Sequence, residues 1–124
     1  QYGIKYICFR ITNPYGPRAQ VKKPSYCILN WFIRQVMENK NITIFGDGTQ
    51  TMDLIHAEDI ARANMLGIES DIRNEFLNVG TGIETTVLDL ANLMMAIMDT
   101  QTKVNFFPED SQKVKRERLV NSER

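Results

Sequence analysis

Four segments hold most of the residues able to do chemistry. They are Arg10-Ile11-Thr12-Asn13-Pro14-Tyr15-Gly16-Pro17-Arg18, Ile44-Phe45-Gly46-Asp47-Gly48-Thr49-Gln50-Thr51-Met52-Asp53, Ile55-His56-Ala57-Glu58-Asp59-Ile60-Ala61-Arg62-Ala63 and Leu77-Asn78-Val79-Gly80-Thr81-Gly82. Much familiar chemistry is excluded at once. His56 is the single histidine, so a zinc site built on several imidazoles is ruled out. Cys8 and Cys27 lack a CxxC spacing and give neither a zinc site nor a secreted disulfide framework. Cys8 lies in the apolar run Tyr6-Ile7-Cys8-Phe9 and is expected to be a buried, inert thiol. Gly80-Thr81-Gly82 precedes a helical pattern, as phosphate-binding turns do. A lone G-x-G is a weak signal, however, and reads as a strand-to-helix turn.

Charge narrows the choice further. Fifteen Lys and Arg balance fifteen Asp and Glu over 124 residues, which argues against a wholesale nucleic-acid or membrane-surface role. Residues 113–124 nevertheless carry five basic side chains to two acidic ones. This tail is either a solvated terminus or an anion site, such as one for phosphate. It lacks the interleaved aromatics that stack bases, so nucleic acid is not the expected partner. No apolar run approaches the roughly 20 residues of a bilayer span, and no signal segment is visible. The expected setting is cytoplasmic.

The elements that must position these residues follow from periodicity. The β-branched and aromatic stretch 4–11 predicts a buried strand. Pro14, Gly16 and Pro17 end it, because two prolines and a glycine within six residues demand a turn. Residues 25–39 predict a helix, with Leu29, Phe32, Ile33, Val36 and Met37 on one face and Asn39-Lys40-Asn41 as its stop. A strand over 42–45, an extended piece over 52–56 and a helix over 57–69 follow. Glu58 and Asp59 stand in that helix's first turn, where the dipole favours them. Residues 76–79 predict a strand. A further helix starts near Thr86, with Asp89 completing a box-like cap and Val87, Leu90, Ala91, Met94, Ile97 and Met98 as its stripe. Residues 104–107 are the last strand candidate. The alternation is α/β, with strands that are few for a doubly wound sheet. Its abrupt start in an apolar strand suggests the later part of a larger α/β protein.

In their order and spacing the four segments resemble the C-terminal part of the NAD-dependent epimerase/dehydratase family, the extended short-chain dehydrogenases/reductases acting on nucleotide sugars. The family pattern runs R-x-x-N-x-Y-G-P, I-x-G-D-G-x-Q-x-R-D-F, V-x-D-x-A-x-A and N-V-G-x-G. The resemblance covers essentially all 124 residues. It implies an incomplete parallel sheet of a Rossmann-like fold plus a small α/β substrate-binding region. Residues 1–124 are then the substrate-binding part, without the NAD-binding half. The resemblance also implies a parent enzyme that oxidises a sugar ring transiently with NAD or NADP.

Site residues follow from the same resemblance. Asn13 would bind near the sugar and diphosphate, or else only cap the turn before Pro14. Ser25 and Tyr26, at the start of the first helix, would reach the diphosphate, where a helix N-terminus suits an anion. Thr43 and Phe45 match the strand beside the nucleotide base, and Phe45 as plain core is an equal alternative. Arg116 would supply a basic group from the tail. The backbone at Ile11 and Thr12 would lie near the nicotinamide. His56 is expected to make a structural hydrogen bond, Asp47 to serve its turn, and Asp59 to cap or pair at its helix start.

Two departures matter. The family's glycine-rich dinucleotide fingerprint and its Y-x-x-x-K dyad are both missing. Tyr2, Tyr6, Tyr15 and Tyr26 are followed four positions on by Tyr6, Arg10, Ala19 and Asn30, none of them lysine. The chain alone is therefore expected to be catalytically silent. Met52 also stands where the family places an arginine on the diphosphate, and Leu54 where an aromatic is usual. That departure favours an alternative, a non-catalytic binding or scaffold protein that kept the fold. Strands left without neighbours would expose apolar edges, so self-association is expected.

Overall fold

The computed structural model describes residues 2–19 and 27–108. Ten elements follow one another: β1 (Ile7–Ile11), β2 (Asn13–Tyr15), α1 (Ile28–Met37), β3 (Ile42–Phe45), β4 (Thr51–His56), α2 (Ala57–Glu69), β5 (Glu75–Val79), β6 (Glu84–Thr86), α3 (Val87–Ile97) and β7 (Val104–Phe107). The strands form three small sheets. β1 and β5 pair in parallel, Ile7 opposite Glu75 through Ile11 opposite Val79. β4 pairs in parallel with β2 and antiparallel with β6. β3 and β7 pair in parallel.

Helix ends are set by local chemistry. Asn39 adopts a left-handed conformation (φ 53°). The Asn39 and Lys40 N–H groups donate to the Val36 and Gln35 carbonyls, which is a Schellman closure. At the start of α3 the Thr86 hydroxyl accepts the Asp89 N–H at 3.0 Å, as its spacing predicts. α2 is capped by His56, whose Nδ1 accepts the Glu58 N–H at 3.2 Å. The expected structural hydrogen bond is thus present. Gly67 inside α2 costs helix propensity but admits β1. A Cβ there would stand 2.9 Å from the Phe9 ring.

The core lies between α1, α3 and β3. It is built from Phe32, Val36, Ile42, Ile44, Val87, Leu90, Ala91 and Met94, with Met52 and Leu54 of β4 packed against it. Two buried polar side chains, Asn30 and Gln35, sit on α1. Gln35 is reciprocally satisfied by one residue. Its Oε1 accepts the Thr43 N–H at 3.1 Å and its Nε2 donates to the Thr43 hydroxyl at 3.0 Å. Ile42 and Gly46 give their N–H groups to the carbonyls of Lys103, just before β7, and Phe107 within it, so the Thr43 N–H points the other way, where Gln35 meets it.

Several expectations are corrected. β1 begins at Ile7, not residue 4, and packs on α2 through Ile7 and Phe9. Cys8 is exposed, because it stands on the opposite face, which no layer covers among the described residues. The segment after Thr12 does not simply turn. Asn13–Tyr15 forms a short parallel strand on β4, where Pro14 is tolerated because, among the described residues, the outer flank of β2 carries no pairing strand. β6 is likewise a strand that no alternation announced. Met37, Ile97 and Met98 are exposed although their spacing assigned them to the buried faces. The residue 25–26 start of α1 lies outside the described residues. Among the described residues, no helix is long and apolar enough to cross a membrane.

Phe32 is fully buried at the centre of the core. Replacing it by alanine is expected to cost about 3–5 kcal/mol. Denaturant unfolding monitored by circular dichroism checks this, and a loss below about 1 kcal/mol would show the α1–α3 packing to be misassigned.

Candidate functional site

Two of the sheets, β1–β5 and β2–β4–β6, meet where β1 hands over to β2. Thr12 sits at that junction and donates its N–H to the Val79 carbonyl at 3.1 Å, extending the β1–β5 ladder by one residue. The next residue, Asn13, already belongs to the β2–β4–β6 sheet, opposite Leu54. Asp53 closes the junction. Its carboxylate accepts the Thr81 N–H at 3.0 Å and the Gly82 N–H at 2.9 Å, and also takes the Thr81 hydroxyl. Its main-chain carbonyl accepts from the Asn13 side-chain nitrogen at 3.2 Å. Gly80 is obligatory in this arrangement. A Cβ there would collide with the Asp53 carboxylate and come within 2.8 Å of the Thr12 methyl.

The described site residues fall into two groups. Ile11, Thr12 and Asn13 gather at the Asp53 junction. Ile11 is 41% exposed, Thr12 is exposed and Asn13 is half-buried. Thr43 and Phe45 lie on the β3–β7 sheet instead. The Thr43 hydroxyl is engaged by Gln35, whereas Phe45 is 46% exposed with its ring 6.3 Å from that of Phe107. The loop from Gly46 to Gln50 connects the groups. Gln50 donates to the Phe45 carbonyl at 2.8 Å and accepts the Val87 N–H at 3.0 Å. Ser25, Tyr26 and Arg116 lie outside the described residues.

The other candidates have structural partners. Asp47 accepts the Thr49 N–H at 2.9 Å and the Thr49 hydroxyl at 2.6 Å, as expected of a turn aspartate. Asp59 stands 3.8 Å from Arg62 one turn on. His56 meets the Tyr15 ring edge-on at 5.2 Å. Met52 packs against the core and serves the interior. The junction aspartate carried the missed signal: a short acid at 53 and a Gly-Thr-Gly turn at 80–82 suit one another, but 28 residues separate them.

These bonds also decide whether a dinucleotide phosphate could be cradled here. Such a cradle needs free backbone N–H groups in a glycine-rich turn. The Thr81 and Gly82 N–H groups are already spent on the protein's own carboxylate, and the Gly46–Gly48 turn carries Asp47 at its centre. Neither turn fits a pyrophosphate. Among the described residues no group of three or more His, Cys, Asp or Glu is placed to hold a metal ion.

Comparison with known proteins places the fold. The model of the NAD dependent epimerase/dehydratase family matches residues 1–80. A putative UDP-glucose 4-epimerase of Methanocaldococcus jannaschii is 39% identical over 93 residues, covering 75% of this chain and 30% of its own. A GDP-L-fucose synthase of Sinorhizobium fredii is 29% identical, covering 86% of this chain and 35% of its own. The solved UDP-glucose 4-epimerase of Thermotoga maritima with UDP-glucose superposes with a TM-score of 0.82 at 33% identity, over 88% of this chain and 35% of that one. The chain thus spans about a third of the length of the curated relatives it matches. The α/β class and Rossmann-like relationship expected from the sequence are present.

The charged groups give a prediction for acid. The Lys40 ammonium and the Arg34 guanidinium hold Glu38 at about 2, down from 4.5. The Thr81 hydroxyl, then the Gly82 and Thr81 N–H groups, lower Asp53, and Thr49 lowers Asp47 in the same way. Each carboxylate binds protons more readily unfolded than folded. Their stabilisation is therefore complete above the ordinary carboxylate range and is lost as pH falls toward about 2. Thermal unfolding followed across this range should show Tm falling below about pH 4.5; a flat Tm would contradict the assigned bonds.

Proposed function

The chain belongs to the NAD-dependent epimerase/dehydratase family, and we propose from that footing that it is the nucleotide-sugar-binding portion of such an enzyme. The observation that supports this most is its superposition on the Thermotoga maritima epimerase solved with UDP-glucose. In this reading Asn13 hydrogen-bonds the sugar or diphosphate without adding charge. Ser25 and Tyr26 address the diphosphate, Thr43 and Phe45 flank the base, and Arg116 supplies positive charge. The backbone at Ile11 and Thr12 lies beside the cofactor ring. NAD or NADP serves the whole enzyme, with its pyrophosphate held outside this chain, because neither glycine turn here suits one. Free Cys8 and Cys27 accord with a reducing, cytoplasmic setting.

Catalysis is not expected of the chain alone. It carries no tyrosine with a lysine four residues on, and hydride transfer needs cofactor and acid/base group held together around the sugar. Met52 favours a second reading. A half-buried thioether packed against the core cannot replace a guanidinium on a diphosphate, so a non-catalytic binding or scaffold protein is the competing account. Titration tests the ligand binding that the first reading requires. The chain should gain thermal stability with one of UDP-, dTDP- or GDP-sugars, by about 2.7 kcal/mol at a hundredfold excess over Kd. It should show no sugar turnover when NAD is added. No shift with any of the three would overturn nucleotide-sugar binding, and turnover would overturn the silence.

Self-association belongs to the same proposal. β1 and β5 form a two-stranded parallel pair, an arrangement that normally lies covered on both faces. Beside it Phe76 is 55% exposed, Leu66 59% and Ile68 75%, and α2 buries none of its residues. Size-exclusion chromatography with light scattering should show dimers or larger species at micromolar concentration. A monodisperse monomer would refute this.

A further inference from the structure

We propose that Asp53 is the positioning residue of the nucleotide-sugar site, holding the Asn13 amide in one orientation while touching no ligand itself. The inference rests on the functional reading above. A main-chain carbonyl only accepts, so the Asn13 nitrogen must face the Asp53 carbonyl and the amide oxygen must point away from it. That orientation lasts only as long as the main chain at 53 stays in place. Asp53 secures itself from its other end, through the two N–H groups and one hydroxyl of Thr81 and Gly82. Gly80 packs directly on the carboxylate, and Thr12 flanks Gly80. One residue thus links the turn after β5 to the amide on β2. The β4 ladder also holds the main chain at 53, opposite Glu84; releasing the turn removes the second restraint on it and loosens the hold on the Asn13 amide.

The Asp53→Asn variant isolates the effect. It keeps the size of the side chain but sets an amide nitrogen against one of the two N–H groups of the turn, where donor opposes donor, while the remaining oxygen serves the other. In the full 124-residue chain, calorimetric titration with UDP-glucose should show at least about a tenfold loss of affinity. The side-chain amide resonances of Asn13, followed by NMR, should move to the positions of a free carboxamide. Thr86→Ala removes the α3 cap and destabilises the chain elsewhere; it should bind as the parent does. Should Asp53→Asn not fold, Thr81→Val removes the hydroxyl donor alone and should weaken binding and shift the same resonances in the same direction. Unchanged Asn13 resonances in a folded Asp53→Asn or Thr81→Val chain would overturn the proposal. So would an equal affinity loss in Thr86→Ala. If the parent chain does not bind UDP-glucose, the functional reading has failed, and the Asn13 resonances alone decide whether Asp53 sets the amide.

Discussion

A single carboxylate ties two of this chain's sheets together. Asp53 gathers two backbone N–H groups and a hydroxyl from the turn after β5, and its own carbonyl receives Asn13 from β2. Hydrogen bonds to a charged acceptor are roughly twice as strong as neutral ones. Here they bridge the β1–β5 pair and the β2–β4–β6 sheet, which otherwise meet at Thr12. Without that bridge, the segment from Ile11 to Asn13 would have a ladder on either side and nothing fixing the angle between them. Of the proposed contacts, Ile11, Thr12 and Asn13 come from this segment, so their geometry depends on an interaction that touches no ligand.

Packing divides the molecule unevenly. α1, α3 and β3 enclose an apolar core in which both amide atoms of Gln35 have a partner. The β1–β5 pair and α2 keep much apolar surface in contact with water. Parallel strands are ordinarily sandwiched between layers. The two regions therefore differ in how much of their stability comes from burial, and the β1–β5 side depends more on ladder hydrogen bonds and on the Asp53 bridge.

Much of this was legible in the sequence where the signal is local. The 57–69 helix, the Thr86 cap, the Asn39 stop and the strands at 42–45 and 104–107 all follow from periodicity and capping chemistry. β2 and β6 escaped because three residues are too few to show alternation, and because Pro14 reads as a breaker when its flank is unknown. Cys8 was misread because an apolar run predicts burial only if something covers it. Of the candidate site, Ile11, Thr12 and Asn13 converge on one junction, while Thr43 and Phe45 stand on a separate sheet. The roles of Asp53 and Gln35 are long-range pairings between residue types that are common everywhere, and no pattern along the chain marks them.

The engagement of Thr43 by Gln35 has a consequence for colloidal behaviour. A two-stranded ribbon normally offers two open flanks to any foreign segment in an extended conformation. Beside β3, such a segment meets an amide already spoken for and a glutamine it would have to evict. Addition of a foreign strand on that flank of β3 is thereby opposed.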